Sequence, residues 1–409
     1  MNVPTRWVAT DRELQSLIAE VGAHEEYALD TEFLRERTYY PQLALVQIAW
    51  TGHIALIDPL AVDVAPLAEL LRSDRLAVVH ACDQDLEVLD LACATIPARL
   101  FDTQLAAGFV GFSTPSLSTL AEKLLGIHLS KGDRLTDWTQ RPLTAAQQRY
   151  AAADVAHLLQ LKAMIVEQLD LSGRRVWVED ECEIVRSRPR NKSLPERAWW
   201  RLKDGRMLRG GDRLVAQELA GWREQKARDL DRPVRFIVPD LGIITIAQAR
   251  PTTTEALRNL RGLDGRFGKG VLATEILEAV ARGSDMSAEQ LHVPDPDDFD
   301  RHLRPALTLV SAWVAQLAKD AKIDASLLAT RADLASLLRG DPNARLANGW
   351  RGQLVGHAVR QLLDGDAALA FNRNGSLALE TRSGVSLAPE LSVPDAPWSE
   401  TDAQITDVQ

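Results

Sequence analysis

The sequence predicts an α/β domain over residues 1–172 followed by two small all-α domains, and three observations carry that expectation. Short β-prone runs alternate with helical periodicity up to about residue 170. Beyond a basic stretch the pattern becomes almost wholly helical, and one helical segment recurs 91 positions further along the chain. The expected boundaries are 1–172 for the α/β domain, 173–206 for a basic linker, 207–287 for the first helical domain, 288–298 for a second linker, 299–372 for the second helical domain and 373–409 for an acidic tail.

In chain order, Tyr27–Asp30 and Leu43–Trp50 are β-prone. His53–Asp58 follows a Thr-Gly turn, and Ala77–His80 is a short apolar run ending in a polar residue. These are expected to be strands of a mixed sheet. Helical periodicity covers Val64–Leu71, Asp85–Leu91, Leu117–Leu125 and Ala145–Leu169. From Ile184 to Arg213 ten Lys or Arg stand against three acids, so this stretch could hold phosphates or simply be a solvated linker. Arg186–Lys192 alternates basic residues with Ser, Pro and Asn, which favours extended chain.

The repeat pairs Trp222-Arg-Glu-Gln225-Lys-Ala-Arg-Asp229 with Trp313-Val-Ala-Gln316-Leu-Ala-Lys-Asp320, and Pro251 and Pro342 keep the same offset. Matches in the same order predict two copies of one helical domain. Val293-Pro-Asp-Pro-Asp-Asp298 lies between them as a boundary with little to bury. Gly384–Gln409 holds three prolines, five acids and no Lys or Arg, which predicts a loosely ordered tail that could pack through Trp398.

The bulk properties narrow the class. At 409 residues and 46% apolar, the chain can bury several cores. Net charge of −10 disfavours a protein that coats nucleic acid through bulk electrostatics. Cys82, Cys93 and Cys182 form no close ligand pair and leave an odd thiol, so neither a disulfide framework nor a zinc site is expected. A reducing cytoplasm fits best. The N-terminal segment carries Arg6, Asp11, Arg12 and Glu13, and no apolar run approaches membrane-spanning length, which predicts an unexported protein with no membrane partner.

Five residues carry the candidate chemistry: Asp30, Glu32, Asp85, Tyr150 and Asp154. Asp30 and Glu32 are two apart on a β-prone run, so both project to one face and can share a cation. Tyr150 and Asp154 are four apart on a helical pattern and also share a face, which sets a phenol beside a carboxylate. Asp85 opens a helix after a strand, where it could either ligate or cap. Four carboxylates drawn into one cleft would each resist ionising unless divalent cations neutralised them. Each motif alone is common; their joint order argues for a metal site.

These residues resemble those of the ribonuclease D family, within the tyrosine-bearing branch of the DEDD exonuclease superfamily. Tyr39-Tyr-Pro-Gln-Leu-Ala-Leu-Val-Gln47 and Asp137-Trp-Thr-Gln-Arg-Pro-Leu143 support the likeness, which extends over roughly residues 1–370. The helical copies resemble the helicase and RNase D C-terminal (HRDC) domain, with Trp222-Arg-Glu-Gln225 and Asp240-Leu241 in the first and a more divergent second. The resemblance implies a ribonuclease H-like mixed sheet and a 3′-5′ exoribonuclease acting on RNA with a free 3′ end, with tRNA precursors as the substrate class. It further implies two divalent ions, Mg²⁺ or Mn²⁺, held by Asp30, Glu32 and Asp154, with Asp30 bridging and Asp85 completing the site directly or through water. Tyr150 would orient the attacking water.

Further candidates for substrate contact are Phe33, Gln47, His80 and Lys131. Phe33 could wedge against the terminal base or be a core residue. Gln47, His80 and Lys131 could contact sugar or phosphate, although Gln47 lies in an apolar strand and Lys131 in a polar loop. His157 is expected on a helix surface. Two other functions stay open, a 3′-5′ DNA exonuclease and a nucleic-acid-binding protein without catalysis; a monomer is the default.

Overall fold

The structure is a computed structural model that describes residues 4–129, 136–190, 194–293 and 301–383. Its first unit runs β1 (Thr5–Val8), α1 (Asp11–Gly22), β2 (Glu26–Leu34), β3 (Gln42–Trp50), β4 (His53–Ile57), α2 (Leu67–Arg72), β5 (Leu76–Val79), α3 (Asp83–Cys93), β6 (Arg99–Asp102), α4 (Thr103–Ala107), α5 (Leu117–Leu120), α6 (Ala145–Ala156), α7 (Leu158–Leu171) and α8 (Arg175–Ser187). The sheet order is β1-β4-β3-β2-β5-β6, with β2, β3 and β4 antiparallel and the outer pairs parallel.

Both faces of this mixed sheet are covered. Tyr27, Leu29, Val46, Ile48 and Ile57 form one core with Leu14 and Leu17 of α1, Leu67 of α2 and Leu86 of α3. Ala28, Leu45, Ala49, Leu56 and Val78 form the other with Ala151 and Val155 of α6 and Leu161 and Ile165 of α7. β3 is therefore apolar on both sides, which explains the near-continuous apolar reading of Leu43–Trp50. The single helix expected over Ala145–Leu169 breaks at His157, whose φ of −116° ends α6 and starts α7.

The expected basic linker 173–206 is corrected by the structure. α8 lies against the α6–α7 side of the α/β core through Val178 and Cys182, and Pro195–Arg201 forms a 3₁₀ segment whose Ala198 and Trp199 enter the next core. The apolar residues of α8 recur at helical spacing, but interleaved charges conceal that pattern in the sequence.

The first helical unit contains α9 (Gly211–Asp229), α10 (Val234–Ile237), α11 (Asp240–Ala249), α12 (Thr254–Arg258) and α13 (Gly270–Asp285). Val215, Leu219, Ile243, Ile246, Phe267 and Ile276 form its core. α9 and α13 meet closely at Gly283, where an added Cβ would sit 2.6 Å from the Val215 Cα. The second unit contains α14 (Arg304–Ala321), α15 (Ala325–Leu328), α16 (Arg331–Leu338), α17 (Gly349–Arg351) and α18 (His357–Asp364). It ends in a hairpin of β7 (Ala367–Phe371) and β8 (Leu377–Thr381). β8 falls inside the expected tail, so 373–409 is not tail throughout; Gly384–Gln409, with Trp398, lies outside the described residues, as does most of Val293–Asp298.

The two units correspond at the starts of their second and third helices. Val234 and Ala325 begin equivalent short helices, Asp240 and Arg331 the next ones, and all keep the 91-residue offset. Gln225 Nε2 donates to Asp229 Oδ1 at 2.8 Å, and Gln316 Nε2 donates to Asp320 Oδ1 at 2.8 Å. Their docking differs. The second unit merges its core with the α/β domain through Trp313, Val314 and Trp350, whose ring stacks on Trp177 at 5.1 Å. The first is held by polar contacts to the β2–β3 loop: Asp231 accepts the amides of Tyr39 and Tyr40 at 3.0 Å each, and the Tyr39 hydroxyl donates to Glu224 Oε1.

Candidate metal centre and active site

Asp30 and Glu32 project from β2 toward the face covered by α6, the same face as Ala28. β5 pairs only with Glu26–Ala28, so the edge of β2 beyond Ala28 is open on that side. α3 enters this opening: the Thr31 amide donates to Asp85 Oδ1 at 3.1 Å, and the Thr31 hydroxyl donates to the same oxygen. Asp85 is thus anchored to the strand backbone between the two acids rather than capping its own helix.

α6 starts at a capping box formed by Thr144 and Gln147. Ala151 and Val155 pack on the sheet, where small residues let the helix approach closely. Tyr150 and Asp154, one turn apart, flank that seam. Carboxylate oxygens of Asp30, Glu32 and Asp154 all lie within 4.8 Å of one another. Asp85 adjoins this trio without belonging to it, and its charge is felt by both Asp30 and Glu32.

The electrostatics follow from burial and crowding. Burial, then the charges of Asp85, Asp154 and Glu32, holds the Asp30 carboxyl well above the usual carboxylate range. Burial, then Asp154 and Asp85, pushes Glu32 up to about 8. Burial pushes Asp154 up to about 7 against an opposing hydrogen bond from Tyr150, and Asp85 up to about 6 against those from Thr31. Burial and the neighbouring acids also raise the Tyr150 phenol, which therefore stays protonated at neutral pH, donates to Asp154 and can orient a water by accepting from it. An all-oxygen cluster that resists ionising by itself fits a hard divalent cation, whose charge reverses that resistance.

Of the substrate candidates, Phe33 is half-buried, packs on the α1–α3 side and carries the Arg35 guanidinium 5.5 Å above its ring. Gln47 is 0% exposed, so it cannot touch sugar or phosphate, and the expectation of substrate contact is corrected. His80 Nδ1 lies 3.0 Å from the Thr103 hydroxyl, and no hydrogen bond joins it to the acids among the described residues. Burial lowers its pKa, the opposite of what a phosphate-binding cation wants. Lys131 lies outside the described residues. His157 is a helix cap at a junction, not a ligand.

The basic stretch is mostly engaged locally. Arg186 pairs with Glu183, Arg201 with Glu224, and Arg190 and Arg213 donate to backbone carbonyls. Three contributors to the site escaped sequence reasoning. Thr31, between the acids, gave no signal. Trp138, with its ring 6.1 Å from that of Tyr150, stood in the Asp137-Trp motif. Arg141 pairs with Asp58 at 2.6 Å and donates to the Ala44 carbonyl at 2.6 Å, tying the segment before α6 to the sheet.

Among the described residues, no helix is long and apolar enough to cross a membrane. A family model for 3′-5′ exonucleases matches residues 5–170, and an HRDC domain model matches residues 212–280. The chain is 35% identical to ribonuclease D of Escherichia coli K12 over 370 residues, covering 87% of this chain and 97% of that protein. It is 35% identical to ribonuclease D of Acidiphilium cryptum, covering 89% and 94%. The crystal structure of E. coli RNase D, described as an exoribonuclease involved in structured RNA processing, superposes with a TM-score of 0.78 at 34% identity, over 88% of this chain and 99% of that one.

Proposed function

This chain belongs to the ribonuclease D family of 3′-5′ exoribonucleases, and we propose that Asp30, Glu32, Asp85, Tyr150 and Asp154 are its active site. The enzyme is a metal-dependent hydrolase that removes nucleotides from the 3′ end of RNA. The observation that carries the site assignment is the convergence of the Asp30, Glu32 and Asp154 oxygens within 4.8 Å.

Asp30, Glu32 and Asp154, with Asp85 beside them, would hold two divalent cations, Mg²⁺ or Mn²⁺. Bound there, such ions supply Lewis acidity toward a water nucleophile and toward the leaving 3′ oxygen. The Tyr150 hydroxyl, beside Asp154, orients the water in line with the scissile phosphorus. Phe33, next to Glu32 in the chain, is proposed to stack on the terminal base, for which its ring would have to leave the Arg35 guanidinium. The products are nucleoside 5′-monophosphates, and tRNA precursors are the proposed substrates. The second helical unit is read as a divergent HRDC copy, on the shared 91-residue offset. Three free, buried cysteines suit a cytoplasmic protein, proposed to act as a monomer.

The test is a time course on 5′-labelled RNA and matching DNA with Mg²⁺, Mn²⁺ or chelator, beside Asp30→Ala. A one-nucleotide ladder on RNA that disappears with chelator and in the variant is expected. Preferential laddering on DNA would replace RNA with DNA as the substrate, and binding without cleavage would remove the catalytic assignment.

A further inference from the structure

Gln47 is a polar side chain sealed beneath the active site with nothing to bond. Its neighbours two residues away on β3, Leu45 and Ala49, belong to the core under α6, whereas Val46 and Ile48 belong to the opposite one. Alternation therefore places Gln47 on the face of Asp30 and Glu32. The strand register sets it directly opposite Asp30 on one side and Leu56 on the other. It is 0% exposed, and neither Oε1 nor Nε2 has a partner.

An orphaned buried amide is costly, and an apolar side chain of similar size would remove the cost. The neighbouring acids suggest what it is for. Asp85 takes two hydrogen bonds from Thr31, and Asp154 has the Tyr150 hydroxyl. Asp30 has the Thr31 backbone amide but no side-chain donor among the described residues, and Gln47 lacks an acceptor. Opposed residues in antiparallel strands have Cβ atoms about 4.5–5.5 Å apart, within reach of a carboxamide and a carboxylate.

We propose that Gln47 is a positioning residue: its Nε2–H group, which bonds nothing in this structure, turns to donate to the Asp30 carboxylate when a cation is bound and fixes that carboxylate's orientation. This rests on Asp30 being a metal ligand. An outer hydrogen-bond partner of a ligand typically changes metal affinity about 10- to 100-fold. A merely structural glutamine would behave differently, because its replacement would alter stability without altering affinity.

The experiment compares the full chain with Gln47→Met, a near-isosteric apolar variant, and Gln47→Asn, which keeps the amide but withdraws it by one methylene. Thermal unfolding is measured in chelator, and Mn²⁺ affinity by electron paramagnetic resonance. Gln47→Met is expected to melt in chelator at or above the parent temperature while binding Mn²⁺ about 10-fold or more weakly. Its RNA cleavage should recover as Mn²⁺ is raised. Gln47→Asn should also bind more weakly, and it carries the test alone if Gln47→Met does not fold. Affinity within threefold of the parent in the folded variants overturns the proposal. Asp30→Asn separates the two readings: if it also leaves affinity unchanged, the metal centre is misassigned and the Gln47 role falls with it. If Asp30→Asn weakens binding and the Gln47 variants do not, only the Gln47 role is refuted.

Discussion

Glu181 offers a stringent test of how the second helical unit is held. It is 2% exposed on α8, with Arg351 bonded to one carboxylate oxygen and Arg345 3.2 Å from the other. Arg351 is itself 3% exposed, and its Nε donates to the Leu327 carbonyl at 2.7 Å. Glu181→Ala leaves the Arg351 charge buried with the Leu327 carbonyl and only the more distant charge of Asp333 to offset it, which costs about 3–5 kcal/mol. Arg345→Ala should cost less than about 1 kcal/mol, because Arg345 is partly exposed and Glu181 keeps Arg351. Removing both charges in Glu181→Leu/Arg351→Met should recover much of the loss, since replacing a buried pair with hydrocarbon is often neutral. Desolvation pushes the Glu181 carboxyl up, but the two arginines outweigh it and leave it below the ordinary glutamate value. Its contribution is therefore fully present at pH 7 and is lost only as pH falls through that lowered value. Urea unfolding at pH 7 followed by tryptophan fluorescence reads the site directly, since Trp177 and Trp350 stack across this junction. A loss below about 1 kcal/mol in Glu181→Ala would refute the reasoning.

Three other outcomes are expected. Tyr150→Phe should slow RNA cleavage by about 10²-fold at saturating metal while leaving Mn²⁺ affinity within a few-fold; full activity rules out the orienting role. In the metal-free folded protein Glu32 holds its proton up to about pH 8, Asp154 to about 7 and Asp85 to about 6, whereas in the unfolded state all three are ionised above the ordinary carboxylate range. Stability should then fall as pH rises through about 6 to about 8, and Mn²⁺ should raise the melting temperature more at pH 8.5 than at pH 6; an equal rise at both would contradict the assignment. Gly283→Val, which forces α9 from α13, should cost about 1–3 kcal/mol in chemical unfolding, and a neutral effect would show that the contact yields.

The legible parts of the site were those in which spacing alone fixes direction. Asp30 and Glu32 follow strand alternation, and Tyr150 and Asp154 follow one helical turn. The anchoring of Asp85 by Thr31 joins residues 54 apart, and no local pattern encodes that. Gln47 was visible as a polar residue in an apolar run, but which way it points depends on a sheet buried on both faces. The α/β domain and the first helical domain were also legible. β1, β6 and α1 were missed, the first two because four residues carry too little periodicity. α8 was missed because charge dominates its composition while its few apolar residues do the packing.

The two helical units are not interchangeable. The position after the repeat tryptophan is Arg223 in one and Val314 in the other, and both are buried, at 5% and 3% exposure. Arg223 donates to the Val238 carbonyl and to Asp240, each at 2.8 Å, whereas Val314 lies in the hydrocarbon core shared with the sheet. Exchanging the segments would strand a guanidinium in oil at one end and empty a lock at the other. Each unit is fitted to its own seat, and the difference between Arg223 and Val314 is a difference between two jobs.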